Sequence, residues 1–180
     1  MLDPSVLAAA RDDAALVQIR TRFSDRAYSC FPIEVGRDLG LFLVLDEGFH
    51  LDGLRVLRPQ DLIECTYPHP YTQFVEEVLA ERGEDEIELP ALSMESMVTL
   101  LETAVLHVPL LGLYSDELEA GMAKMGRLLE VDEERLTLLE VDQNARWAEE
   151  PIELSLSELT RVDLGGSRLE AYYLVAGEPE

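Results

Sequence analysis

The residues of this 180-residue chain that could do chemistry are few and scattered. Its three histidines, His50, His69 and His107, lie far apart, and no two have the i, i+4 spacing that would place both on one helix face. There is no Cys-x-x-Cys pair either, so no zinc site is expected. No glycine-rich loop is suited to cradling phosphates, and Gly165-Gly166 reads as a turn. No serine stands in the strand–turn–helix elbow that exposes a nucleophile. Acidic pairs such as Glu133-Glu134 and Glu149-Glu150 are so common here that none is distinctive; they read as solvated loop residues. No catalytic, cofactor-binding or metal-ligating residue is therefore assigned, no cofactor is expected, and an enzyme or small-molecule binder is the least favoured class. What remains is aromatic rings beside charges in two loops. Phe49, His50 and Asp52 fall in the glycine-bounded segment Gly48 to Gly53, and Arg146 and Trp147 fall between Asp142 and Pro151. Aromatics with a neighbouring arginine are common energetic anchors of interfaces. These five residues are the candidate partner-binding set, with Trp147 matched by position to the Phe49-His50 region. The competing role for Trp147 is a lid over one end of a core.

Charge narrows the partner. Thirty-seven acidic side chains against fourteen basic ones give a net charge of −23, a field that repels phosphate backbones. Nucleic acid is disfavoured; a protein partner or self-association is expected. With 47% hydrophobic residues the chain can bury a core and is not of disordered composition. No apolar run approaches the roughly 20 residues that span a bilayer, so no membrane is expected. The start, MLDPSVLAAARDD, lacks the basic and long apolar regions of a secretion signal. Cys30 and Cys65 lie in apolar, strand-like segments and are expected to be reduced and largely buried, which points to a cytoplasmic protein.

The elements that must position these residues read as mostly strands with short helices. Asp3-Pro4 opens a short alanine-rich helix reaching about Asp13. Strands follow at Leu16–Arg20, Tyr28–Val35 (where Pro32 implies a bulge or an edge), the apolar run from Gly40, and Leu54–Arg58. Pro59–Asp61 is a tight turn before a fifth strand through Tyr67, and the segment Pro68–Gly83 is a helix entered through prolines and ended by glycine. An acidic connector leads to a helix over Ser93–Ala104 with Ser93 as its cap, and Met94, Met97, Leu100 and Leu101 on one face.

The same order then recurs. Leu16–Leu79 matches Val105–Val175 in pattern: AVLHV from Ala104, which holds His107, answers ALVQI; GRLLEVDEERLTLLEVD answers VGRDLGLFLVLDE; PIELSLSELTRVDL answers GLRVLRPQDLIECTY; and LEAYYLV answers FVEEVL. The second copy carries a longer region early on, at Leu113–Gly121. Repetition at this scale predicts two units, residues 1–83 and 84–180, each with a leading helix, five strands and a trailing helix.

A leading helix before five short bent strands, with a one-turn link between the fourth and fifth, resembles the Sm-like barrel. Gly126, Leu128, Val131 and Asp132, followed by Leu136, Thr137 and Leu138, are similar to the first Sm signature; the first copy keeps only Gly36 or Gly40 and Leu41–Leu45. A strongly bent second strand needs a glycine where curvature is greatest. The tandem arrangement also resembles uncharacterised bacterial proteins with two Sm-like units, whose second units carry pieces like GRLLEVD, Trp147 and Glu158–Gly166. The resemblance implies a mainly β fold with short helices, a tandem duplication of a strongly bent five-stranded Sm-like barrel, and no particular activity. RNA-binding Sm proteins use a loop asparagine, where Thr137 stands nearest, and an arginine-glycine pair, absent from both Leu57–Glu64 and Leu154–Arg161. The expectation is a non-catalytic interaction or regulatory protein that takes a protein partner on a strand edge or on its aromatic loops, with an unusually acidic RNA-binding Sm-like protein as the alternative.

Overall fold

Alternating burial organises the first strands. Val17, Ile19 and Thr21 point inward from β1 (Val17–Thr21) while Gln18 faces solvent, the period of two that a half-buried strand requires. In the computed structural model, which describes residues 4–85, 88–115 and 124–179, the chain is mainly β with short helices. Among the described residues no helix is long and apolar enough to cross a membrane. The chain divides into two compact units, Met1–Leu89 and Pro90–Glu180.

In the first unit α1 (Pro4–Asp12) places Leu7 and Ala10 one turn apart, and both are buried. They pack with Val17, Ile19, Cys30, Phe42, Leu57 and Leu62. β2 (Tyr28–Val35) is bulged at Ile33, beside Pro32, a residue that cannot donate to a ladder. β3 (Gly40–Leu45) is buried at every position, as its unbroken apolar run requires. β4 (Leu51–Leu57), a single 3-10 turn over Pro59–Asp61 and β5 (Leu62–Thr66) follow. α2 (Thr72–Arg82) ends at Gly83, whose φ of 68° is the left-handed conformation that glycine adopts without strain. It buries Val75 and Leu79 in a second cluster with Leu16 and Leu45. The strand order is β5-β1-β2-β3-β4, antiparallel throughout, and β4 and β5 do not pair with each other, so this sheet is open rather than a closed barrel.

The second unit opens with α3 (Met97–Ala104). Its cap is Ser96, not Ser93: the Ser96 hydroxyl accepts the Thr99 N–H, and the Thr99 hydroxyl in turn accepts the Ser96 N–H. Ser93 instead bonds Thr99 and Thr103 from outside the helix. The expected strand at Ala104–Val108 is the end of α3 followed by a turn, so His107 is not in a strand. The physical reason is that the helix must run to Ala104 to bury Leu100, Leu101 and Ala104, leaving Val105 and Leu106 exposed where the chain reverses. The first strand is β6 (Leu111–Ser115). The longer early region expected at Leu113–Gly121 falls mostly outside the described residues. β7 (Lys124–Val131), β8 (Arg135–Glu140), β9 (Ile152–Ser155), a 3-10 turn at Leu156–Glu158, β10 (Leu159–Leu164) and α4 (Ser167–Ala176) complete the unit. Its order is β10-β6-β7-β8-β9, again antiparallel, with no pairing between β9 and β10.

The ladders that join the first, second, third and fifth strands of each unit agree pair for pair, whereas β3 and β4 shift register between Leu43 and Leu45 and β8 and β9 do not shift. Cys30, held between Val17 and Val44, corresponds to Gly126, held between Leu111 and Glu140. The bulge at Ile33 has its equivalent at Leu129, and the one at Ile63 has its equivalent at Thr160. Gly126 marks a close approach: a Cβ there would lie 2.2 Å from the Leu139 carbonyl oxygen. The glycine expected in the first copy, Gly36 or Gly40, is not at this place; Cys30 is.

Both cysteines are free. They sit on β2 and β5, with β1 between them, too far apart for the 4.4–6.8 Å Cα separation of a disulfide. Cys30 is buried, and burial pushes its thiol pKa up. Cys65 is only half-buried, and the same cause raises it to about 11.

Candidate functional site

Each of the two candidate loops is built on one aspartate. Asp46 Oδ1 accepts the Gly48 N–H at 2.7 Å and the His50 N–H at 2.8 Å, while the Asp46 N–H donates to the His50 carbonyl at 2.9 Å. Asp142 does the same with the N–H groups of Asn144 at 2.8 Å and Arg146 at 2.9 Å, and its own N–H meets the Arg146 carbonyl at 2.9 Å. The fourth residue of each turn is left-handed, Phe49 at φ 60° and Ala145 at φ 56°. The Arg146 N–H, ahead of the other contributions, holds the Asp142 carboxyl below its usual range.

In the first unit the end of α2 clasps this turn. Arg82 Nη1 donates to the carbonyls of Gly48 at 2.9 Å and Phe49 at 3.0 Å. Glu84 Oε1 pairs with His50 Nδ1 at 2.7 Å and its Oε2 accepts the Leu51 N–H at 3.2 Å. These bonds, the one from His50 first, lower the Glu84 carboxyl. The Phe49 ring meets Phe74 of α2 edge-on, with centroids 5.3 Å apart at 86°. Phe49 and His50 thus share one turn. Asp52 does not: the segment expected as a loop to Gly53 is already strand from Leu51, so Asp52 lies within β4.

In the second unit the ring that meets the trailing helix is Trp147. Its Nε1–H donates to the Gly177 carbonyl at 3.2 Å, and the half-buried indole packs on Leu110, Met125, Val141 and Leu169 beside Tyr172 and Tyr173. Arg146 remains exposed. Trp147 and Phe49 are not positional equivalents. Trp147 bridges Val141 as Leu51 pairs with Leu45, and the place of Phe49 is taken by Ala145.

The histidines stay apart in role. His50 is bound to Glu84, His69 precedes α2 with its pKa lowered by burial, and His107 is exposed in the turn after α3. Among the described residues no group of three or more His, Cys, Asp or Glu could hold a metal ion.

Two features escape reading by sequence alone. Asp61 is 2% exposed, its carboxylate 2.8 Å from Arg22 Nη2. Nothing in the turn Pro59–Asp61 distinguishes a buried aspartate from a solvated one. The other is an open cleft of about 490 Å³ over β8 and β9, lined by Glu133, Glu134, Arg135, Glu153, Leu154, Ser155 and Ser157. Only the register that sets Thr137 opposite Glu153 and Arg135 opposite Ser155 brings these acids together. Arg135 Nη1 meets Glu153 at 3.0 Å. Comparison of the chain with protein families, with curated proteins and with solved structures finds no match.

Proposed function

We propose that the chain is a tandem of two Sm-like units acting as a non-catalytic interaction protein, which takes a protein partner on a strand edge or on its aromatic loops. The observation that carries the reading is the state of the outer strands: among the described residues β5 pairs only with β1, and β9 only with β8. Such an edge presents a row of backbone donors and acceptors ready to pair with another chain. The duplication is supported by ladders that agree in order, register and bulge position, and by the two aspartate-centred turns.

Against the alternative of RNA stand the charge of −23 and the absence of the Sm asparagine and arginine-glycine pair. The test is capture from nuclease-treated lysate of the native host, followed by rebinding of the recovered protein in purified form. A stoichiometric complex is expected, together with no appreciable binding of a U-rich oligonucleotide at physiological salt. Loss of all partners after nuclease treatment, with micromolar and salt-sensitive binding of the oligonucleotide, would replace this reading by the RNA one.

A further inference from the structure

The edge of β9 carries its own statement about the partner. Natural edge strands are usually blunted by lysine, by proline within the strand, or by a covering element. β9 reads Ile-Glu-Leu-Ser and has neither residue; Pro151 stands just before it. Its side chains alternate. Ile152 and Leu154 lie opposite the buried Leu138 and Leu136, and Glu153 lies opposite Thr137. The cleft over the β8–β9 pair holds Glu133, Glu134 and Glu153 against the single cation Arg135, which is already engaged by Glu153, and of these acids only Glu153 belongs to the edge strand itself. The backbone here is tied down: the Leu156 N–H donates to the Glu134 carbonyl at 2.9 Å, joining the β7–β8 turn to the residue that follows β9. Glu149 and Glu150 extend the acidic run ahead of the strand and are exposed.

From this edge and its charge we infer that β9 accepts an extended, basic segment of a partner protein as an added strand, with Lys or Arg side chains facing Glu153 and the Glu149-Glu150 run before it and the intervening apolar ones beside Leu154. The inference rests on the interaction reading above and names its partner class. A second copy of this chain is the poorer occupant, because two surfaces of net charge −23 repel. Backbone pairing supplies the affinity and the charge match supplies selection and on-rate.

The experiment uses the full chain and a labelled eight-residue peptide alternating Lys and Val. Its controls are a peptide of equal charge N-methylated at alternate residues and a Glu-for-Lys peptide. Affinity is read by anisotropy at physiological salt, and the location by amide shifts. Expected are shifts confined to β9 and the Glu149-Glu150 run before it, with binding weakened about tenfold or more by N-methylation and by Glu150→Lys or Glu153→Lys, and thermal midpoints near wild type. Equal binding of the N-methylated peptide means charge attraction without strand addition and overturns the inference, as do shifts elsewhere. Self-association lost in Glu153→Lys would assign the edge to a second copy and overturn it too. A lysate partner that still binds Glu153→Lys at full strength removes the site from β9 but leaves the interaction reading standing, so the two failures are distinguishable.

Discussion

Arg20 and Glu64 face each other across β1 and β5 as an ion pair. At the equivalent place in the second unit, β6 and β10 set Tyr114 against Arg161, whose guanidinium carbon lies 3.9 Å from the ring centroid while Asp163 binds its nitrogens. The ladders are the same; the chemistry filling them is not. Corresponding backbone places in the two units therefore need not share side-chain types, only side chains that can span the same cross-strand gap. The same holds at the clasped loops. The first unit secures its turn with Arg82 and Glu84, whereas the second uses an indole.

The sharpest way to break the comparison is at the bend of the second strand. Gly126→Val should destabilise the second unit by about 3 kcal/mol, since the clash is with backbone that cannot rotate aside. The equivalent place in the first unit holds the cysteine side chain of Cys30, buried and accommodated. Denaturant midpoints of Gly126→Val and Cys30→Val read this; equal losses would mean the two bends are equally tight.

Next come the loop aromatics. Trp147→Ala should cost about 3 kcal/mol, in the range of large core truncations, and Phe49→Ala about 1 kcal/mol, the worth of an edge-on aromatic contact. If Trp147→Ala leaves the unfolding midpoint unchanged, the indole is not a lid, and its use as a partner anchor gains ground.

A third pair compares the 3-10 turns. Asp61 is buried beside Arg22, whereas Glu158, its counterpart, is exposed. Asp61→Ala should cost about 2 kcal/mol for the loss of a buried carboxylate paired with Arg22, and Glu158→Ala less than about 0.5 kcal/mol. Thermal melts that rank the two the other way would remove Asp61 from the supports of the first unit.

The smallest effect lies in acid. The carboxyl groups of Glu84 and Asp142 are lowered in the folded chain by His50 and by the Arg146 N–H respectively. Each contributes stability that is present above its unfolded value, near 4.3 for Glu and 3.9 for Asp, and is lost as pH falls through the lower folded one. Glu84→Gln and Asp142→Asn should each flatten the acid limb of a stability–pH profile below about pH 4. A limb as steep as wild type in Glu84→Gln would show that the His50 contact does not form in solution.

Local rules made much of this fold legible. The strand over Tyr28–Val35, its bulge next to Pro32, the turn Pro59–Asp61 and the helix ended by Gly83 follow from period-two patterning, a missing donor and a left-handed cap. Registration of the second unit is less legible. Ala104–Val108 has a strand-like pattern, and only the need to bury Leu100, Leu101 and Ala104 together keeps the chain helical up to that point. Aromatic residues mark the candidate loops in the sequence, but nothing there marks the non-equivalence of Phe49 and Trp147, because the two-residue displacement is set by pairing of Val141 with Trp147.

Local patterning thus specifies the class of elements and their order, since these depend on side-chain period and turn chemistry within a few residues. Tertiary structure alone decided which atoms meet. It set Gly126 against the Leu139 carbonyl, buried Asp61, turned Trp147 onto a helix end, and drew Glu133, Glu134 and Glu153 to one cleft. Each of these depends on register between segments distant in the chain, and register is a property of the paired strands rather than of either strand alone.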